Sequence, residues 1–213
     1  MTVYTEAITD EMSSIAKTVF DMLGDEYYLS GGTALALHVG HRKSVDLDYF
    51  INAQIDTLKL KDRLFEIFAK ADVRILFEEK NTLWCSINGV KISFIYRREP
   101  LIDEVHVVQN FRLARVKDIT VMKLSAICGR EEYKDYFDLA CLASVTDVRS
   151  WVPWWEAAYP NADYTSFLVA LSYADKIKHI PLEVFDTYKD IDVTKTLFSV
   201  TNDITTYISH TES

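Results

Sequence analysis

With 213 residues, 49% of them hydrophobic and 26% charged, the chain can form one large domain or two small ones and has an ordinary globular composition. The formal net charge of −9 at pH 7 argues against broad electrostatic binding of nucleic acid, although it leaves room for a local basic site. The sequence has no apolar run of roughly 18 residues, no signal-peptide pattern and only three scattered cysteines, so we expect a cytoplasmic protein without a membrane span, a disulfide framework or a zinc site.

The first fifty residues predict two helices and two strands. Apolar residues recur every three or four positions from Ile8 to Leu23, which predicts a helix with one apolar stripe. The segment EYYLS predicts a short strand, and GTALALH predicts a helix that starts at a glycine pair and ends at Gly40. The segment VDLDYFI alternates and predicts a strand. One face of that strand would carry Asp46, Asp48 and Phe50, and the other Val45, Leu47, Tyr49 and Ile51.

The next segment predicts a helix followed by a group of strands. The helix would run from its N-cap Asp56 to about Ala71, with an inward face formed by Leu60, Leu64 and Ile67. The segment VRILFEE predicts a strand, and VHVVQNFRLARV is strand-like. Between them, TLWCSIN and VKISFIY flank Asn88-Gly89, which is a strong signal for a two-residue hairpin turn.

From Lys117 onward the pattern is helical throughout. The segment DITVMKLSAICGREEYKDYFDLACLAS predicts one long helix, or two in tandem with a break near Gly129. Two further segments, TSFLVALSYADKI and VTKTLFSVTNDITTYI, also have helical spacing. The expected organisation is an α/β domain over residues 1–116 and a helical domain over residues 117–213.

The glycine pair and the two aspartates together suggest a site for phosphate and metal. Gly31 and Gly32 lie between a strand and a helix, where glycine lets the backbone approach a bound group closely. The N–H groups at the start of the helix favour an anion, and Thr33 adds a hydroxyl in the first turn. Asp46 and Asp48 leave the same strand face, where two carboxylates repel unless a divalent cation such as Mg²⁺ lies between them. The alternatives are a tight turn without a ligand and a solvated strand face.

A second set of charged residues lies in the helical half. Lys123 and Arg130 are seven positions apart, near one helical face, and as cations they could hold triphosphate oxygens. The spacing leaves open whether Lys123 is such a ligand or an exposed helix residue, and an exposed lysine contributes little to folding. Lys134 and Asp138 are four positions apart, which is typical of an ordinary surface ion pair.

A glycine pair, a short helix and then D-x-D on a strand resemble the first motif of nucleotidyltransferases built on the DNA polymerase β palm. The whole chain is more closely similar to the AbiEii/AbiGii-type nucleotidyltransferase toxins of bacterial abortive-infection and type IV toxin–antitoxin systems. The segments that carry this resemblance lie between about residues 28 and 178 and are SGGTALALHVGHRKSVDLDYF, GVKISFIY, VKDITVMKLSAICGREEYKDYFDLACL and FLVALSYADK. The first and third are the specific ones.

The resemblance implies an α+β fold, in which a polymerase β-like mixed sheet with flanking helices precedes a C-terminal helical domain that completes the active-site cleft. It also implies an active site that includes the positions of Lys123 and Asp138. The expected catalytic residues are Asp46, Asp48, Lys123 and Asp138, with Asp46 and Asp48 as the metal ligands. The expected nucleotide-binding residues are Gly31, Gly32, Thr33, Lys123 and Arg130.

The chain departs from related enzymes at one position. Polymerase β-type enzymes usually carry a third carboxylate on a later strand, and the matching position in VKISFIY is Ser93. A serine cannot act as a carboxylate base near neutral pH. Either another acid serves, or the acceptor needs no strong base, or activity is weak or lost. The acids available for such a role are Glu78, Glu79, Asp135 and Asp138.

The leading hypothesis is a toxin that transfers a nucleoside monophosphate from NTP to an RNA acceptor, which the resemblance suggests is the tRNA 3′ end, and so arrests growth. The expected cofactor is Mg²⁺ or Mn²⁺, and the expected partner is an antitoxin encoded nearby. A small-molecule acceptor, as in antibiotic-modifying enzymes of the same fold, is the first alternative, and the acidic net charge mildly favours it. A non-catalytic nucleotide-binding or protein-interaction module is the second, because of Ser93.

Overall fold

The computed structural model describes residues 3–211, within which the chain forms a seven-stranded mixed sheet and eight α-helices. The chain divides into two compact units, Met1–Arg115 and Val116–Ser213. All seven strands lie in the first unit, and the second is built from helices. The expected mixture of a sheet with helices is confirmed. Within residues 3–211 none of the helices combines the length and the apolar character that a bilayer span requires.

The first unit contains three α-helices and the sheet. Its elements are α1 (Asp10–Met22), β1 (Tyr28–Ser30), α2 (Gly31–Val39), β2 (Asp46–Ile51), α3 (Thr57–Ile67), β3 (Val73–Glu79), β4 (Thr82–Ile87), β5 (Val90–Tyr96), β6 (His106–Val108) and β7 (Phe111–Leu113). The strand order across the sheet is β3-β4-β5-β2-β1-β7-β6. Strand β2 pairs antiparallel with β1 and parallel with β5, so it lies inside the sheet with a partner on each side.

Local signals set the ends of the helices. Helix α1 starts where the Thr9 hydroxyl accepts a hydrogen bond from the Met12 N–H, and its predicted apolar stripe is buried. Helix α3 starts at the predicted cap Asp56, whose carboxylate accepts from the Lys59 N–H. The predicted end near Ala71 is wrong, because α3 stops at Ile67. Ile67 is 42% exposed rather than inward, since the last turn of the helix extends past the apolar surface that Leu60 and Leu64 cover.

Strand β2 shows the predicted alternation. Leu47, Tyr49 and Ile51 are buried on one face, and Asp46, Asp48 and Phe50 are half-buried on the other. The expected position of Val45 is wrong. The strand starts one residue later, so Val45 lies outside the alternating segment and is 78% exposed.

The remaining strand predictions are confirmed, and one ambiguous segment is resolved. Asn88 and Gly89 have φ angles of +49° and +85°, as a two-residue hairpin turn between β4 and β5 requires. Strand β3 pairs with β4 and forms one edge of the sheet. The strand-like segment VHVVQNFRLARV forms a second hairpin, β6–β7, in which β7 pairs with β1.

The second unit begins with two helices in tandem. Helices α4 (Val116–Gly129) and α5 (Tyr133–Val145) are separated at Gly129, which confirms the predicted break. Three more α-helices follow: α6 (Trp151–Ala158), α7 (Thr165–Ser172) and α8 (Val193–Thr211). Helices α4 and α5 both bury charged side chains, and these form the second group of candidate site residues.

Candidate active site

The glycine at the start of α2 lies against the carboxylate of Asp48. Gly31 has a φ of +66°, a conformation that side chains disfavour. Antiparallel pairing of β1 with β2 places Ser30 opposite Asp48, so the next residue approaches the same carboxylate. A Cβ atom added at Gly31 would lie 3.2 Å from Asp48 Oδ2, which is tighter than most real contacts. Both the backbone angle and this close approach therefore require glycine here, and the start of α2 adjoins a carboxylate of β2.

Ser93 lies beside Asp48 on the same face of the sheet. Parallel pairing of β2 with β5 puts the two residues in register, and Ser93 Oγ donates a hydrogen bond to Asp48 Oδ1 at 2.5 Å. Ser93 is buried and Asp48 is half-buried. The position expected for a third carboxylate is thus the immediate neighbour of Asp48, and a hydroxyl that orients Asp48 occupies it.

Thr33 orients the other carboxylate. Its side chain is fully buried in α2, where its hydroxyl donates to the main-chain carbonyl of Asp46 and lies 2.7 Å from Ser44 Oγ. Ser44 Oγ in turn lies 3.5 Å from Asp46 Oδ1. The hydroxyl of Thr33 therefore connects α2 to the start of β2 instead of opening towards a ligand. Ser44 was missed by sequence reasoning, although a hydroxyl two positions before Asp46 is a usable signal.

The two carboxylates fit a metal site that substrate completes. Within residues 3–211 no group of three or more His, Cys, Asp or Glu side chains is placed to hold a metal ion. Mg²⁺ commonly uses one or two carboxylates and takes its other ligands from substrate phosphates and water. Asp46 and Asp48 share a sheet face, and hydroxyl groups of the same unit orient their Oδ1 atoms. This donor set suits Mg²⁺ or Mn²⁺ bound together with a nucleotide.

The second unit contains a buried group of opposite charges. Lys123 Nζ of α4 lies 2.6 Å from Asp135 Oδ1 and 2.6 Å from Asp138 Oδ2, both on α5. Arg130 Nε lies 2.8 Å from Asp135 Oδ2. The exposed fractions are 4% for Lys123 and 0% for both aspartates, whereas the Arg130 side chain is half-exposed. We call these four residues the Lys123 cluster.

Ion pairing keeps the buried acid of this cluster charged. Burial alone would raise the pKa of the Asp135 carboxyl, but the charge of Lys123 and hydrogen bonds from Arg130 and Lys123 outweigh it, so the pKa lies below its ordinary value. The two cations and two carboxylates have formal charges that sum to zero. In this conformation the cluster offers no net positive charge to a triphosphate.

The surface alternative for Lys123 and the expected surface pair of Lys134 with Asp138 are wrong. Lys123 is not an exposed helix residue, because α5 faces α4 and buries its ammonium between two carboxylates. Asp138 is not half of a surface pair with Lys134, because Asp138 is fully buried against Lys123 and Lys134 lies 3.2 Å from Glu132. Spacing along one helix could not reveal the carboxylates that the next helix supplies.

Both groups of residues lie within a single segment of the chain that matches the model of a known family. The profile of the family described as nucleotidyl transferase AbiEii toxin, type IV toxin–antitoxin system, matches residues 16–151, which is more than half of the chain. The chain belongs to the AbiEii family. Its activity is therefore that of a nucleotidyltransferase toxin, as the motifs predicted, and membership implies an NTP substrate and an antitoxin partner.

Individual proteins resemble the chain over most of its length. An uncharacterized protein of Aquifex aeolicus (strain VF5) is 29% identical over 189 residues, covering 86% of this chain and 87% of that one. A candidate nucleotidyltransferase from H. pylori has a TM-score of 0.58 at 23% identity, covering 94% and 93% of the two chains. MenT4, a nucleotidyltransferase toxin of Mycobacterium tuberculosis H37Rv, has a TM-score of 0.51 at 13% identity, covering 91% and 82%. At these identities the two structures show a shared nucleotidyltransferase fold, which confirms the predicted fold class.

Proposed function

We propose that this AbiEii-family toxin transfers a nucleoside monophosphate from a metal-bound NTP to a hydroxyl group of an RNA acceptor, with the tRNA 3′ end as the acceptor to test first. The observation that carries the proposal is the close approach of Gly31 to Asp48, which leaves no room for a Cβ atom. It brings a helix start, which favours anions, against a carboxylate of the kind that binds Mg²⁺. A phosphate and a metal ion bound at these two features would touch each other.

The roles within the first unit follow from this arrangement. Asp46 and Asp48 hold Mg²⁺ or Mn²⁺, which when bound would neutralise charge on the phosphates. The backbone N–H groups at Gly31 and Gly32 bind phosphate oxygens of the NTP, with the positive end of the α2 dipole behind them. Thr33 lies in the first turn of α2, and its hydroxyl donates a hydrogen bond to the main-chain carbonyl of Asp46, which holds Asp46 in place.

The transfer step needs no bond to the protein. The acceptor hydroxyl oxygen forms a bond to the α-phosphorus, the bond from that phosphorus to the bridging oxygen breaks, and pyrophosphate leaves. The hydroxyl proton must also depart. Ser93 donates its own hydrogen to Asp48 and is not a base at neutral pH, so it serves to orient the carboxylate.

No acid of β3 is placed to replace the missing carboxylate. Glu78 lies opposite Leu83, on the buried face of the sheet, and pairs with Lys61 of α3 at 2.5 Å. Glu79 lies on β3, which is three inter-strand spacings from β2, or about 14 Å at the usual strand spacing. We therefore propose that no acid of β3 serves as the base and that the acceptor proton goes to water or to a phosphate oxygen of the NTP.

Lys123, Arg130 and Asp138 remain proposed site residues, supported by the resemblance of their segment to the family. Their mutual contacts favour treating them as one unit in which Lys123 holds the carboxylates of Asp135 and Asp138 in place. A role as a cation for the triphosphate would require Lys123 to exchange a carboxylate for a phosphate oxygen. Such an exchange leaves Lys123 with the same number of charged contacts, so it is physically accessible.

The test is turnover of α-labelled NTP with total RNA and, separately, with a small-molecule extract. Wild-type protein with Mg²⁺ should label RNA, and Asp46→Asn with Asp48→Asn should not. Asp21→Asn is a matched control, because Asp21 forms only an exposed pair with Lys17 on α1. Label on small molecules would support the alternative acceptor, and nucleotide binding without transfer would contradict the enzymatic proposal.

A further inference from the structure

The face of the sheet that carries the carboxylates continues beyond Ser93 to the sheet edge. Asp48 pairs in register with Ser93, Ser93 with Trp84 of β4, and Trp84 with Phe77 of β3. Side chains of in-register partners point to the same face of a sheet. Trp84 and Phe77 therefore lie in one row with Asp48, and Trp84 is two strand spacings away, or about 10 Å.

Both aromatic side chains are exposed. Trp84 is 46% exposed and Phe77 41% exposed, and their ring centroids are 5.1 Å apart at an interplanar angle of 46°. The strand neighbours of Trp84, Leu83 and Cys85, are fully buried on the opposite face, whereas the neighbours of Phe77 in β3, Leu76 and Glu78, are exposed because β3 is an edge strand. At β4 the sheet thus has a buried face and, on the carboxylate face, an aromatic side chain open to solvent that meets a second one on β3. We call Trp84 and Phe77 the aromatic pair.

The adjacent row on this face carries two cations. Asp46 pairs in register with Lys91, Lys91 with Ser86, and Ser86 with Arg74. Lys91 is exposed and, within the part of the chain that the structure describes, has no ion pair. Arg74 pairs with Asp72 at 2.7 Å, but both side chains are mostly exposed and such pairs are weak in water. In a chain of net charge −9, the aromatic pair therefore has Lys91 and Arg74 in the row on one side and a single acid, Glu79, in the row on the other.

The position of these residues relative to β2 indicates which substrate they meet. Helix α2 follows β1, on one side of β2, and β5, β4 and β3 lie on the other side. In the proposed reaction the pyrophosphate leaves towards Gly31, and the attacking oxygen lies roughly in line on the opposite side of the phosphorus. The acceptor therefore approaches from the side of β5, which is where the aromatic pair lies.

We infer that the aromatic pair, with Lys91 and Arg74, binds the unpaired end of the RNA acceptor. A nucleobase near the reacting end stacks on Trp84 and Phe77, and the cations contact its phosphates. This inference rests on the proposed function, because the direction of approach comes from the proposed transfer step. Stacking depends little on the identity of the base, so the surface should prefer single-stranded ends to paired ends without preferring a particular sequence.

Binding of RNA can be measured without transfer. The probe is a short, 3′-unpaired RNA oligonucleotide with a fluorescent 5′ label, compared with a blunt duplex of the same sequence by fluorescence anisotropy. The variants are Trp84→Ala with Phe77→Ala, and Trp84→Phe, which keeps a ring. Phe65→Ala is the matched control, because Phe65 is 46% exposed but lies on α3, which contacts the buried face through Lys61 and Glu78. Melting temperatures verify folding.

Wild-type protein should prefer the unpaired probe, and the double alanine variant should bind it about fivefold to a hundredfold more weakly. Trp84→Phe should retain most of the affinity, and Phe65→Ala all of it.

Unchanged RNA affinity in the double variant would overturn the inference, as would failure of the wild type to bind RNA. If the double variant loses RNA affinity but the wild type labels no RNA, the proposed reaction fails while the RNA-binding surface stands.

Discussion

Ser93 Oγ donates a hydrogen bond to Asp48 Oδ1 at 2.5 Å, because the parallel strands β2 and β5 hold the two residues side by side. The hydroxyl occupies the position at which the resemblance to polymerase β-type enzymes predicts a third acid. It satisfies one carboxylate oxygen of Asp48 without adding negative charge. The site can therefore keep its shape before a metal ion and a nucleotide bind.

This contact predicts the effect of adding the missing carboxylate. In Ser93→Asp a second carboxylate would face Asp48, so we expect a lower melting temperature in EDTA and a larger rise with Mg²⁺ than in wild type. Ser86→Asp is the matched control, because its in-register neighbours are Lys91 and Arg74. Thermal unfolding with and without Mg²⁺ measures both. Equal Mg²⁺ responses in the two variants would argue that Asp48 binds no metal.

Asp46 and Asp48 should account for the effect of metal on nucleotide binding. Mg²⁺ and a non-hydrolysable NTP together should raise the melting temperature of wild type, since a ligand that binds only the folded state stabilises it. Asp46→Asn with Asp48→Asn should lose this rise and lose transfer, while the exposed control Asp21→Asn keeps both. Full transfer by the double variant would show that the metal site was wrongly assigned.

Gly31 should tolerate no side chain. Gly31→Ala puts a Cβ at a φ of +66° and 3.2 Å from Asp48 Oδ2, so we expect a loss of about 1–3 kcal/mol in the free energy of unfolding. Nucleotide binding should fall as well, because the displaced atoms belong to the proposed phosphate and metal sites. Gly24→Ala is the control, since a Cβ there meets nothing within 4 Å. Urea unfolding and nucleotide titration on both variants measure the difference, and similar losses in both would contradict this account.

Lys123 should be important for folding, contrary to the expectation for an exposed lysine. Lys123→Ala removes the ammonium that two fully buried aspartates share, while Asp135 keeps its pair with Arg130, and breaking such a buried ion pair costs about 3–5 kcal/mol. Lys134→Ala, at a partly exposed pair with Glu132, should cost at most about 1 kcal/mol. Urea unfolding compares the two variants.

A compensated variant separates the structural and catalytic roles of Lys123. Lys123→Met combined with Asp135→Asn and Asp138→Asn removes the buried charges together, so the melting temperature should recover much of the loss. Transfer should stay absent if the cluster serves the reaction. Recovery of transfer along with stability would reduce the cluster to a structural element.

The Lys123 cluster also predicts a dependence of stability on acid. The pKa of folded Asp135 is below its ordinary value, so its ion pairs stabilise the fold fully above the unfolded pKa of about 3.9 and lose that contribution as the pH falls through the folded value. Wild type should therefore lose more free energy of unfolding than Asp135→Asn as the pH is lowered from about 5. Urea unfolding across this range tests the sign, and parallel pH profiles would contradict it.

The sequence by itself determined the local elements and the position of the first motif. Alternation in β2 placed Asp46 and Asp48 on one face, Asn88-Gly89 predicted the β4–β5 turn, and the glycine pair predicted the start of α2. These features depend on neighbours along the chain, because the period of apolar residues and the backbone angles that glycine permits are local properties. The segments resembling the AbiEii family then identified the later strand with Ser93.

Tertiary structure alone decided which polar side chains are buried and which aromatic side chains are exposed. Lys123 is buried because α5 places Asp135 and Asp138 against it, and spacing within α4 contains no information about that partner. Trp84 and Phe77 join the row of Asp48 because three strand pairings bring them into register. The physical reason is the same in both cases. The role of a charged group or an aromatic ring depends on groups that are distant along the chain, and only packing brings those groups together.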